Sequence, residues 1–83
     1  MPPIVRNAKQ LGDAVRRHRR ALSLTQGDVA RRARLRQPTV SALESGSPGM
    51  RLDTVFAVLA ALELEIVVQP RSQASPDDVA KLF

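Results

Sequence analysis

Few side chains in this 83-residue chain have the types and spacing for bond-making chemistry. It has no cysteine, which removes thiolate nucleophiles, thiolate metal sites and disulfides together and fits a reducing cytosol. His18, the one histidine, cannot build a metal cluster, and no carboxylate, serine or cysteine constellation surrounds it; it reads as a core or boundary residue. No Ser/His/Asp set and no phosphate-cradling glycine loop is present, so neither an enzyme nor a cofactor is expected. Recognition chemistry remains. The stretch Leu24–Gly46, LTQGDVARRARLRQPTVSALESG, sets two short helical patterns either side of a tight connection, the arrangement that lays a helix into a DNA groove.

The elements that position this stretch are legible. Thr25 is placed to accept a hydrogen bond from a helix-starting amide, and Val29, Ala30 and Ala33 follow on one face. Leu35 plugs the connection. A second helix opens at Gln37-Pro38, where proline costs little because first-turn amides lack helical partners. Val40 and Leu43 give it a buried stripe, and Gly46 closes it in the left-handed conformation that helix ends often need. Upstream, Asn7 caps a helix from about Ala8 to Leu22, with Leu11, Ala14, Val15 and Ala21 on one side and His18 on that same stripe. Arg16, Arg17, Arg19 and Arg20 lie mostly opposite and read as a solvated surface. After the SGSPGM turn a fourth helix starts close to Leu52, and its Leu52, Val55, Phe56, Leu59 and Leu62 form the largest apolar face. The core is aliphatic, with Phe56 as the main exception.

Beyond Leu62 the period changes from helical to extended, and LEIVVQ ends at Pro70. A lone strand cannot satisfy its own backbone, so the simplest partner is the same segment of another copy; the alternative is a short apolar extension packed on the domain. So small a domain also gains from association. From Arg71 the composition is polar, and the Ser-Pro-Asp-Asp start signal before Val79, Leu82 and Phe83 predicts a mobile tail that forms a helical turn on a partner's surface.

Charge is uneven along the chain. Met1 to Leu62 carries eleven Lys and Arg against four Asp and Glu, whereas Glu63 to Phe83 carries two against four, within an overall +5. A basic body with a mildly acidic end suits a polyanion at one side and another partner at the other. No apolar run approaches ~18 residues and Met1–Val5 is too short for a signal peptide, so a soluble cytoplasmic protein with no membrane partner is expected.

The Leu24–Gly46 segment, with Thr-Gln opening one helix, Gln-x-Thr-Val-Ser the next and Glu-x-Gly ending it, resembles the helix-turn-helix of Cro and phage-repressor regulators. The resemblance covers roughly Leu11 to Leu62. With LEIVVQ directly after the last helix, the chain is most similar within that class to HipB-type antitoxins, whose short C-terminal strand pairs across a dimer and which neutralise HipA-type Ser/Thr kinase toxins. The implied fold is all-α: a small four- to five-helix, lambda-repressor-like bundle plus that strand. The implied division is a DNA-binding domain over 1–62, a dimerisation strand over 63–70 and a mobile tail over 71–83.

The implied activity is binding of double-stranded operator DNA as a homodimer, autorepression of the operon and neutralisation of a HipA-like kinase. The alternative is a stand-alone regulator without a toxin. By position, Arg36, Gln37, Thr39, Ser41 and Ala42 face bases or neighbouring phosphates, and Gln26, Arg34 and Arg51 meet the DNA backbone. Arg34 stands where glycine is usual in the turn, and a left-handed non-glycine costs about 1 kcal/mol. Arg19 and Glu44 match a partly buried ion pair, Leu64, Ile66, Val67 and Val68 the dimer strand, and Leu82 and Phe83 a toxin contact. No metal site is implied.

Overall fold

The computed structural model describes residues 2–71; the expected tail and the toxin-contact residues Leu82 and Phe83 lie outside the described residues apart from Arg71. Four helices follow one another: α1 Ala8–Ala21, α2 Gln26–Ala33, α3 Gln37–Glu44 and α4 Leu52–Ala61.

The first three starts have local causes. Asn7 Oδ1 accepts from the Gln10 amide at 2.8 Å and opens α1. At α2 the capping is reciprocal: the Asp28 amide donates to Thr25 Oγ1 at 3.0 Å and the Thr25 amide to Asp28 Oδ2 at 2.8 Å. The Asp28 carboxyl is held below its ordinary value first by that Thr25 amide, then by the Thr25 hydroxyl and Arg31. Neither Arg36 before α3 nor Arg51 before α4 supplies a side-chain cap; Pro38 in the first turn of α3 has no amide to satisfy.

All four helices stop the same way. A residue with positive φ (Ser23, Arg34, Gly46, Glu63) turns the chain, and the next amide reaches back to close the end: Leu24 to Arg19 O, Leu35 to Ala30 O, Ser47 to Ala42 O and Leu64 to Leu59 O, at 2.8–3.1 Å. Leu24, Leu35 and Leu64 then pack on the core, so three of the stops double as hydrophobic plugs. Gly46 alone uses glycine, for two reasons: φ is +80°, and a Cβ there would sit 2.7 Å from Lys9 Cα.

The core is Val15, Val29, Ala30, Val40, Leu43, Val55, Val58, Leu59 and Leu62. Phe56 is not in it. It is 48% exposed, and Leu52, one turn before, is 64% exposed. Because α4 is apolar nearly all round, its periodicity merges two faces, the inner Val55/Val58/Leu59/Leu62 and an outer Leu52/Phe56. Likewise α1 buries Gly12, Val15 and Arg19, while Ala21 is exposed. At the crossing of α1 with the end of α3, a Cβ on Gly12 would lie 2.5 Å from the carbonyl oxygens of both Leu43 and Glu44. His18 ties α1 to α4, its Nε2 donating to the Leu62 carbonyl at 3.1 Å.

The expected strand is not formed among the described residues. Residues 64–70 pair with no backbone ladder: Leu64 is spent on stopping α4, and Ile66, Val67 and Val68 stand exposed, Val68 at 94%. The reason is physical, since a single chain with one extended segment offers it no partner edge.

Candidate nucleic-acid interface

Helices α2 and α3 and the turn between them form the projecting unit. Arg34 holds the turn at φ 57°, ψ 44°, a left-handed non-glycine, and Leu35 anchors it to the core. On α3, Val40, Leu43 and Glu44 face inward, which leaves Gln37, Ser41 and Ser45 as an exposed ridge with a spacing of four. Arg36 is exposed at its start, while Thr39 and Ala42 are half-buried on its flanks. The Ser45 hydroxyl folds back along the helix, donating to Ser41 O at 2.7 Å and closing the helix end. Gln37 leans toward the first turn of α2: its Oε1 lies 3.8 Å, and an Arg31 guanidinium nitrogen 3.9 Å, from where a Gly27 side chain would begin. Glycine there leaves the two first turns room to sit side by side.

Behind the ridge, one carboxylate ties three helices together. Glu44, 1% exposed, receives Arg19 Nε on Oε2 at 2.6 Å and Arg19 Nη2 on Oε1 at 3.0 Å. Gln26 Nε2 donates to Oε1 at 3.2 Å, so the half-buried Gln26 links the start of α2 to the end of α3. Arg16 adds a second cation, Nε at 3.6 Å from Oε1 and Nη2 donating to the Glu44 carbonyl at 3.3 Å. The remaining Arg19 Nη1 donates to Leu24 O at 2.8 Å. Burial alone would raise the Glu44 carboxyl; the Arg19 and Gln26 hydrogen bonds and the two guanidinium charges outweigh it and hold the group below its ordinary value. Arg19 is correspondingly raised, chiefly by its hydrogen bond to Glu44.

The arginines of α2, of the turn after it and of the α4 start differ in how occupied they are. Arg34 and Arg36 make no ion pair among the described residues. Arg31 is paired with Asp28, and Arg51 with Asp53 through two bonds at 3.1 and 2.9 Å. No group of His, Cys, Asp or Glu among the described residues can hold a metal ion. Among the described residues, no helix is long and apolar enough to cross a membrane.

Sequence reading missed Gly12, Arg16, Asp28 and Asp53. Thr25-x-x-Asp28 carries capping spacing and was findable; a glycine inside a helical pattern was a hint of close packing. Arg16 had no signal, because its partner is 28 residues away.

A family model described as a helix-turn-helix domain matches residues 10–69. The chain belongs to the helix-turn-helix family, in its HipB-like antitoxin branch. It is 31% identical over 68 residues to Antitoxin HipB of Escherichia coli strain K12, covering 82% of this chain and 77% of that protein. The same identity holds against Antitoxin HipB of another Escherichia coli strain, over 72% of its length. Among solved structures, a HipB-O4 20mer complex matches with a TM-score of 0.80 and 26% identity over 84% of this chain and 99% of that one. A HipA-HipB-O2-O3 complex matches with a TM-score of 0.79 at the same identity and coverage.

Proposed function

We propose that this chain is the antitoxin of a toxin–antitoxin pair: it binds operator DNA as a dimer, represses its own operon, and binds and neutralises a HipA-like Ser/Thr kinase. The observation that carries the DNA reading is the solvent-facing ridge that starts at Arg36 and Gln37, backed by the clamp on Glu44. Such a ridge enters the major groove with its amino-terminal residues against base edges, and glutamine and serine have the donors and acceptors that read them. Arg36, Gln37 and Ser41 set sequence choice, with Thr39 and Ala42 flanking; Gln26, Arg34 and Arg51 meet phosphates and set affinity.

Two copies are needed to span successive grooves about 34 Å apart. The exposed Leu52 and Phe56 of α4 and the unpaired Ile66, Val67 and Val68 supply an apolar surface of the kind that a second copy covers, with the 64–68 segments pairing as a two-stranded ribbon. The HipA reading is supported by the likeness to a HipB seated with HipA and by a net charge that turns acidic after Leu62.

Titration of a labelled duplex from the chain's own promoter region, against a random duplex, tests the division of labour. Gln37→Ala should lose operator preference while keeping random-duplex binding; equal loss on both refutes base reading by Gln37. Copurification from cells expressing the neighbouring gene tests the second half. A chain that binds operator but retains no kinase is a stand-alone regulator.

A further inference from the structure

The arginines assigned to DNA are not equally free to meet it. Arg51, at the start of α4, is closed in a fork by Asp53: Nε donates to Oδ1 at 3.1 Å and Nη2 to Oδ2 at 2.9 Å. These are two parallel N–H bonds of the kind with which a guanidinium grips two phosphate oxygens. That edge of the guanidinium cannot hold both anions at once, and a phosphate on the remaining Nη1/Nη2 edge meets a cation whose charge Asp53 already offsets. Asp53 is itself fixed, because its Oδ1 also accepts the Thr54 amide at 2.8 Å in the first turn of α4, where a helix favours negative charge. Both side chains lie open to solvent, 80% and 68% exposed, so no packing keeps an incoming phosphate from exchanging with the carboxylate.

Resting on the DNA-binding reading, we infer that Asp53 is a specificity-determining residue: it occupies the Arg51 fork in place of phosphate and so suppresses binding to arbitrary DNA more than binding to operator. On random DNA nearly all of the affinity is electrostatic, so one withheld cation counts fully. On operator, base contacts along α3 press the start of α4 against the backbone, and the phosphate displaces Asp53. The cost of masking is then borne mainly by the loose, sequence-independent complex. Arg34 and Arg36, with no ion pair among the described residues, give attraction in both modes.

The test is a double-mutant cycle on the full chain, using a random duplex and the promoter-region duplex over a range of salt. Asp53→Asn should tighten random-duplex binding by up to about fivefold, a ceiling set by the small worth of an exposed ion pair. It should also steepen the salt dependence by about one phosphate contact. Operator binding should rise less, so the specificity ratio falls. In an Arg51→Ala background, Asp53→Asn should leave random-duplex binding where Arg51→Ala alone puts it. An equal gain with and without Arg51 overturns the inference, because the effect is then net charge; so does the absence of any gain. A wild-type chain that binds no duplex overturns the DNA-binding reading, and this inference with it.

Discussion

The helix-turn-helix unit over 24–46 and the segment after α4 over 64–71 both carry large apolar side chains, and these have opposite fates. In the first, Leu24, Val29, Leu35, Val40 and Leu43 find partners within the chain, and its one deeply buried charge, Glu44, meets two guanidinium groups and an amide. In the second, Ile66, Val67 and Val68 remain outside. One region is completed by its own chain, and its job is to hold a shape while the ridge presents side chains. The other is left open, and the proposed second copy is what closes it. The stability of the first is a property of the monomer, whereas that of the second depends on concentration.

The largest effect should come from breaking the completed region. Glu44→Ala removes the shared acceptor of Arg16, Arg19 and Gln26 and leaves a buried guanidinium stranded, a loss of about 3–5 kcal/mol. Urea unfolding reads it; a near-normal midpoint would show that the clamp does not carry α1 against α3. Acid probes the same contact without mutation. The Glu44 carboxyl is lowered from its ordinary 4.5, so its contribution is present above that pH and is lost as pH falls through the lower folded value. Wild-type stability should decline over that range, and Glu44→Gln should flatten the decline.

Next comes the open region. Val67→Asp with Val68→Asp should leave monomer unfolding within about 0.5 kcal/mol, as surface changes do, because neither side chain belongs to the core. The same pair should shift the dimer to monomer in sedimentation and weaken operator binding. An unchanged dimer would place the interface elsewhere, with the outer α4 face of Leu52 and Phe56 the first place to look. The smallest effect sharpens the description of the turn. Arg34→Gly relieves a left-handed non-glycine and should stabilise by up to about 1 kcal/mol. It also removes a cation, so it should weaken random-duplex binding while raising the melting temperature. A gain in stability with unchanged DNA affinity would remove Arg34 from the backbone contacts.

Much of this was readable from the chain alone, and the readable part has a common character. Asn7, Thr25 and Pro38 each act within a few residues of themselves, as does the left-handed turn at Gly46, so the four helices and the turn between α2 and α3 follow from local backbone chemistry and apolar spacing. The scarcity of nucleophiles and ligands, and the basic body, are properties of composition and need no fold.

Crossings were decided only in three dimensions. Gly12 is small because α1 passes over the carbonyls of Leu43 and Glu44; Arg16 joins the Glu44 clamp from a run that spacing reads as solvated. Phe56 points outward because α2 packs on the other face of α4, which an all-apolar helix does not announce. Leu64 stops a helix where its sequence reads as the first residue of a strand. Local pattern specifies which faces are apolar and where helices end, but which face meets which partner depends on contacts between residues far apart in the chain.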